Sequence, residues 1–146
     1  MTTAVEWELA HSEDLIALAE AIENKDRYTA HEILDKIAPF PEGENVKTSK
    51  VENDGYFDRL ASVTNPDTGK LDNRNGPAVV EGDGTRKWYR AGLLHNSHAP
   101  AVIKANGKIK YYYMGEKYDT AVELDEVAAR ARRHNAKSSH YRNQKA

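Results

Sequence analysis

The sequence of 146 residues contains no cysteine. This absence excludes disulfide bonds, thiol catalysis and cysteine-ligated zinc or iron–sulfur centres, and it is typical of proteins from reducing compartments. The chain also lacks any run of about 18 apolar residues, so it predicts no transmembrane helix and no membrane partner. The first residues carry acids where a secretory signal peptide has bases and an apolar stretch. Together these absences predict a cytoplasmic location.

Motifs of the common enzyme classes are missing as well. The chain has no phosphate-binding P-loop, no HExxH, no GxSxG and no paired DxD cage. His95 and His98 are three residues apart in a predicted loop, which is at most half of a metal site, and we expect them to bond within a hairpin instead. The sequence therefore predicts a non-enzymatic protein with no cofactor and no metal ion.

Charge is distributed unevenly along the chain. Residues 1–44 hold eleven acids and three bases, for a net charge of −8; residues 45–123 have a net charge of +2 and residues 124–146 of +4, which sum to −2. An acidic head and a basic tail suggest charge-selective partners at either end. The alternative is that both segments only keep the chain soluble.

The acidic head, residues 1–38, predicts a hairpin of two amphipathic helices. Ser12 has the character of an N-cap before a first apolar stripe, and a second helix starts from a capping box at Thr29 and stops before Pro39. Acidic residues lie off these stripes and form our candidate docking surface for a basic protein; the alternative is an ordinary charged helix exterior. The candidate residues are Glu13, Glu20, Glu23, Glu32 and Asp35.

A repeat of 23 residues occupies the middle of the chain, residues 69–119, after a turn-rich connector at 39–68 that predicts at most one short strand near 46–51. Each unit reads Pro-Ala-apolar-apolar, a glycine turn, an aromatic pair and a second glycine turn. Asp-Gly and Asn-Gly between apolar runs predict hairpins. The predicted strands are 78–81, 86–90, 101–104 and 108–113.

These units resemble the hairpin repeats called MORN-like, in the version found in small accessory proteins of tailed bacteriophages. The resemblance rests on Gly-Pro-Ala-Val-Val at 76–80, the Asp-Gly to Ala-Gly segment at 83–92 and Leu-Leu-His at 93–95. Asp72 and Ala99 depart from the pattern, because the equivalent positions of the other unit hold His95 and Gly76. The resemblance implies a phage protein that acts in the host cytoplasm, and it implies a fold more than an activity.

Aromatic and basic residues are interleaved in the predicted sheet. We take Trp88, Tyr111 and Tyr113 as further candidates for contact with a protein partner. Lysines and arginines between them are compatible with nucleic-acid binding, although such residues are also common on solvent-facing strands. They are Lys87, Arg90, Lys104, Lys108 and Lys110.

The C-terminal segment predicts a helix over residues 120–135, with a capping box from Thr120 to Glu123, and a loose basic tail over 136–146. The basic residues here are the candidate nucleic-acid-binding residues of the alternative function; otherwise the tail is only a solvated terminus. They are Arg130, Arg132, Arg133, Lys137 and Arg142.

The sequence as a whole predicts one α+β domain: an antiparallel β-meander of two hairpin repeats with an N-terminal helical hairpin and a C-terminal helix. Its predicted function is a protein-interaction module that binds and inhibits or redirects a host protein, such as one that handles nucleic acid, in host takeover or anti-defence. The alternative is a nucleic-acid-binding protein, and the oligomeric state stays open. The predicted core comprises Leu15, Leu18, Ile22, Ile33, Leu34, Ile37, Val80, Trp88, Val102, Ile109, Leu124 and Val127.

Overall fold

The structure, a computed structural model, describes the backbone of residues 3–53 and 56–145, and the side chains within those ranges except for 51–59 and 135–145. Helices and antiparallel strands are both present, which confirms the α+β class. In chain order the elements are α1 (Ala4–Glu23), α2 (Arg27–Ile37), β1 (Val46–Asn53), β2 (Tyr56–Val63), β3 (Val79–Val80), β4 (Arg86–Lys87), β5 (Tyr89–Arg90), β6 (Leu93–Leu94), β7 (Val102–Ile103), β8 (Ile109–Tyr113), β9 (Glu116–Tyr118) and α3 (Ala121–Lys145).

Seven of the strands form one sheet in the order β1-β2-β3-β4-β7-β8-β9, while β5 and β6 pair with each other. Side chains alternate between the two faces of a sheet, so the strand register arranges them in rows. One row faces the helices and consists of Ala61, Val80, Arg86, Ile103 and Ile109. The row on the opposite, outer face consists of Ser62, Val79, Lys87, Val102 and Lys110.

The core lies between the helices and the inner face of the sheet. One cluster joins Leu18, Leu34 and Ile37 of α1 and α2 to Ile103, and a second joins Tyr111 to the start of α1 and to Leu124. Half of the predicted core residues are buried: Leu18, Leu34, Ile37, Val80, Val102 and Leu124. The others are partly buried: Leu15, Ile22, Ile33, Trp88, Ile109 and Val127.

Both predicted helix starts in the acidic head are wrong. Helix α1 begins at Ala4, nine residues before the position expected from Ser12 as N-cap (Ala4 to Glu13), because Thr3 accepts a hydrogen bond from the Glu6 N–H. In addition, the backbone N–H groups of Ala4 and Val5 donate to the Asp125 carboxylate of α3, at 2.7 and 3.1 Å. A carboxylate more than a hundred residues away thus caps the helix, which no local pattern reveals.

In α2 the cap is Asp26 rather than Thr29. The Thr29 N–H and hydroxyl both donate to the Asp26 carboxylate, at 3.1 and 2.6 Å, and these hydrogen bonds lower the pKa of Asp26. Thr29 therefore lies within the first turn of the helix and serves its cap.

The structure also corrects two other predicted segments, the connector at 39–68 and the tail at 136–146. The connector, predicted to hold at most one short strand near 46–51, holds two strands, β1 and β2, which pair over eight residues each. Polar residues within both strands interrupt the apolar alternation that marks a strand in the sequence, while the backbones pair continuously. At the other end, α3 continues to Lys145, so the backbone of 136–145 is helical and not loose.

Equivalent hydrogen bonds recur at positions 23 residues apart in the chain. The side-chain amide of Asn73 donates to the Pro77 carbonyl at 2.9 Å, and that of Asn96 donates to the Pro100 carbonyl at 3.1 Å. In the glycine turns, Asp83 and Asn106 each accept from the backbone N–H two residues later, at 2.8 and 3.0 Å.

The glycine turns lie directly beneath the helices. Gly84 and Gly107 have φ of +100° and +88°, and a Cβ atom at Gly107 would lie 2.5 Å from the carbonyl oxygen of Leu15 in α1. At Gly84 it would lie 2.8 Å from the Leu34 side chain in α2. Glycine is therefore required here for conformation and for space, and the two turns fix the height of the two helices above the sheet.

Candidate functional site

The acidic candidates on the helical pair are solvent-exposed with one exception. Glu13, Glu20 and Glu23 lie on α1 and Glu32 on α2, and all four are exposed. An ion pair between Lys36 and Asp14, at 3.1 Å, links the two helices and uses one of the few bases in this part of the chain. The helices therefore present an anionic surface held in fixed positions.

Apolar residues interrupt this anionic surface. Leu9 is 74% exposed and Ile16 is 60% exposed, both on α1. Together with Glu13, Glu20 and Glu23 they follow the spacing 4, 3, 4, 3 along the helix, which places all five on one side. We call this set, Leu9, Glu13, Ile16, Glu20 and Glu23, the α1 outer stripe. Helix α1 thus has an apolar core face and a second, exposed face that combines carboxylates with large apolar side chains.

Asp35 differs from the other four acidic candidates, because its side chain is 41% exposed but also holds a buried arginine. Its carboxylate accepts from the Arg86 guanidinium at 2.5 Å, and Arg86 is only 1% exposed. Arg86 also donates to the Gly84 carbonyl at 2.6 Å and to the Ala38 carbonyl at 3.2 Å. The pair joins α2 to the sheet. Its role is structural, because a buried guanidinium requires hydrogen-bonding partners.

The aromatic candidates also point toward the helices. Tyr111 is 4% exposed, so it cannot contact a partner in this fold and its assignment is wrong. Trp88 and Tyr113 are partly buried and pack against the two core clusters. Alternation along β8 turns Tyr112, between Tyr111 and Tyr113, to the outer face of the sheet instead.

The Tyr111 hydroxyl has no hydrogen-bond partner among the described residues. Burial raises the pKa of the Tyr111 phenol, and the Glu8 carboxylate acts in the same direction. The phenol therefore stays protonated, and its ring packs in the second core cluster.

Asp72, which departs from the repeat pattern, and His95, at the equivalent position of the other unit, both accept a backbone hydrogen bond from a turn. The backbone N–H of Met114 donates to His95 Nδ1 at 2.9 Å, and that of Ala91 donates to the Asp72 carboxylate at 3.1 Å. Both donors have positive φ, +46° and +51°. Either side chain can accept the N–H of a strained turn, and this shared role explains how aspartate and histidine can occupy equivalent positions of the two units. Burial lowers the pKa of His95, and Arg90 and His98 contribute to this shift.

His98 bonds locally: its Nε2 lies 3.0 Å from the Ser97 hydroxyl, and burial lowers its pKa. Within the described ranges, no three His, Asp or Glu side chains come together as a metal site.

The basic candidates lie on α3. Arg130, Arg132 and Arg133 are exposed. The side chains of Lys137 and Arg142 lie outside the described residues. The basic part of α3 thus continues the helix whose Asp125 caps α1.

Three features were not predicted from the sequence: the exposed apolar pair on α1, the inward-facing Arg86 and the capping of α1 by Asp125. The sequence contained a signal for the first two. Leu9 and Ile16 have no place in the core stripe of α1, and seven-residue spacing relates them. Arg86 is the 23-residue equivalent of Ile109, which is an inward position. The capping of α1 by Asp125 had no sequence signal.

No helix within residues 3–53 and 56–145 has both the length and the apolar character needed to cross a bilayer. Comparison with protein-family models, with curated proteins and with solved structures finds no match. Function is therefore inferred from the side chains and charges of the chain itself.

Proposed function

We propose that this protein is a non-enzymatic interaction module that binds a basic partner protein through the α1 outer stripe. The observation that carries the proposal is the exposure of Leu9 and Ile16 among the carboxylates of one helix face. Large apolar side chains buried on binding supply affinity, while the surrounding charge supplies steering and selectivity.

The stripe fits one kind of partner surface, an amphipathic helix with lysine or arginine beside its apolar positions. The 4, 3, 4, 3 spacing of the stripe is that of a helix–helix seam. An anionic surface repels nucleic acid, so the same stripe favours a protein partner over a phosphate backbone. The net charge of −8 over residues 1–44 extends the attraction beyond direct contact.

The biological setting is also part of the proposal. We infer that residues 69–119 form two copies of one MORN-like hairpin unit, supported by the hydrogen bonds that recur 23 residues apart. The resemblance of that unit to repeats of bacteriophage accessory proteins favours a host protein as the partner, in the host cytoplasm. Inhibition or redirection of a protein that handles nucleic acid would suit an acidic surface, since such proteins present positive grooves.

The test uses three forms of the chain as bait for affinity purification from bacterial lysate: the wild type, a variant of the stripe and a control variant. Replacement of Leu9 and Ile16 by serine leaves stability within about 0.5 kcal/mol, because both side chains are exposed. We expect the captured partner to bind at least about thirtyfold more weakly to this variant, as for the loss of a buried interface anchor.

The matched control replaces Val122 and Leu93, which are also exposed, by serine. This variant should retain the partner fully. Equal capture by all three forms would show that the stripe is not the contact surface.

A further inference from the structure

A cleft at the outer face of the sheet has the opposite charge from the α1 outer stripe. Its volume is about 680 Å³, within the range of about 300–1,000 Å³ typical of small-molecule sites. It runs from the outer row of the sheet past the glycine turns to the beginning of α2. The cleft thus combines residues of both hairpins with residues where α1 ends and α2 begins, and none of its lining residues belongs to the stripe.

The cleft carries excess positive charge. Its lining includes four cationic side chains and two carboxylates, Glu81 and Asp83. Glu81 forms an ion pair with Lys87, and Asp83 accepts the Thr85 N–H at 2.8 Å. By contrast, Lys104 and Lys110 form no ion pair with any described residue. These two lysines therefore contribute positive charge to the cleft that no described carboxylate neutralises.

The placement of these lysines follows from the strand register. Lys110 lies opposite Val102, and Lys104 follows Val102 by two residues on the same face. Tyr112 likewise follows Lys110 by two residues, and its ring lines the same cleft as the two lysines. Leu94 and Val102 supply apolar surface beside the ring.

We propose that this cleft binds a nucleotide unit, with the phosphate at Lys104 and Lys110 and the base on Tyr112. Lysine ammonium groups attract phosphate, and base stacking on an aromatic ring tolerates any base. The ligand chemistry is the same for a free nucleotide and for a nucleotide within a single strand. This site is independent of the protein-docking stripe, and it differs from the arginine-rich part of α3.

The experiment measures binding of two probes at low ionic strength, ATP and a fluorescein-labelled oligothymidylate, by fluorescence anisotropy and competition. We expect wild-type protein to bind at least one of them. Binding of both assigns the site to free nucleotides as well as strands, and binding of the oligonucleotide alone assigns it to single strands. Absence of binding for both probes overturns the proposal.

Two variants locate the site. Lys104→Ala with Lys110→Ala should weaken binding at least tenfold and, for the oligonucleotide, lower the slope of log K against log salt by about 0.7, the contribution of one phosphate in a single strand. The matched control, Lys70→Ala with Lys117→Ala, removes the same charge from exposed positions elsewhere and should change affinity less than twofold. Equal losses in the two variants overturn the proposal.

Two more measurements separate a nucleotide site from an unspecific anion site. Tyr112→Leu should weaken nucleotide binding at least about fivefold, the loss of one stacked base, without affecting inorganic tripolyphosphate. An unchanged affinity for nucleotide in this variant contradicts the role of Tyr112. Loss of oligonucleotide binding on replacement of Arg130, Arg132 and Arg133 by alanine, with no loss in the lysine variant, moves the site to α3 and also overturns the proposal.

Discussion

At the scale of single residues, the Arg86–Asp35 pair decides how α2 is attached to the sheet. The guanidinium is buried, while the Asp35 side chain is 41% exposed, so the two partners are not equivalent. Removing the carboxylate leaves a buried charge, whereas removing the guanidinium leaves a carboxylate with access to water.

Asp35→Ala should lower the free energy of unfolding by about 2–3 kcal/mol, the worth of a charge-assisted hydrogen bond to a buried cation. The double variant with Arg86→Met should be no less stable than the single variant, because it no longer buries an unpaired charge. Urea unfolding of wild type, of Asp35→Ala, of Arg86→Met and of the double variant gives the comparison. Two losses that simply add would show that the pair is not coupled.

His95 makes stability depend on pH. Its pKa in the fold is lowered from the ordinary value of about 6.5, so the unfolded chain binds more protons between the two values. Stability therefore increases with pH through this window and is complete above about pH 6.5. Below the window, protonation of Nδ1 also removes the acceptor of the Met114 N–H.

His95→Asp keeps an acceptor of the kind found at Asp72 and should flatten the rise in unfolding free energy between pH 5 and pH 7. His98→Asn is the control, because the pKa of His98 is lowered as well and accounts for the remaining slope. An unchanged pH profile in His95→Asp would rule out His95 as the titrating group.

At the scale of elements, the glycine turns connect the hairpins to the helices. Gly107→Ala combines a positive φ with a Cβ atom 2.5 Å from a helix carbonyl, so α1 or the turn has to move. We expect a loss of about 2–4 kcal/mol.

The control Gly69→Ala has a φ of +71° and nothing within 4 Å of the added atom, and should cost about 1–2 kcal/mol from conformation alone. Thermal unfolding of both variants separates the cost of the steric contact with α1 from the cost of the backbone conformation. Equal losses at the two positions would mean that the turn does not support α1.

The same elements show what the sequence could predict. Asp-Gly and Asn-Gly turns, the apolar stripes and the second-repeat strand β8 were all visible, because local residue chemistry determines them. Only one short strand near 46–51 was expected where β1 lies, and β2 was missed, since the two strands are defined by their pairing with each other over eight residues. The start of α1 was missed because Asp125 caps it from the other end of the chain.

The candidate site, like the fold, was predicted where local sequence determines it and missed where distant segments do. Exposed glutamates follow from helix periodicity, so Glu13, Glu20, Glu23 and Glu32 were correct as surface residues. The burial of Tyr111 and the ion pair of Asp35 with Arg86 were missed because distant segments provide their surroundings. No local pattern tells an exposed carboxylate from one that holds a buried arginine.

At the scale of the whole molecule, charge and apolar exposure coincide on one side of α1. In the proposed complex a second chain covers Leu9 and Ile16, and the charge of the acidic head selects the chains that approach. A partner with lysines or arginines on a helix would associate faster at low salt, and reversal of Glu13, Glu20 and Glu23 to lysine would remove this advantage.

The most direct measurement places a photo-crosslinking amino acid at Ile16 and, in a separate variant, at exposed Val122 of α3, and irradiates bacterial cells that produce each form. We predict one discrete adduct between this chain and a basic host protein at Ile16, and none at Val122. An adduct of two copies of this 16.4 kDa chain, equal adducts at both positions, or no adduct at Ile16 would contradict the proposal that the α1 outer stripe binds a host protein.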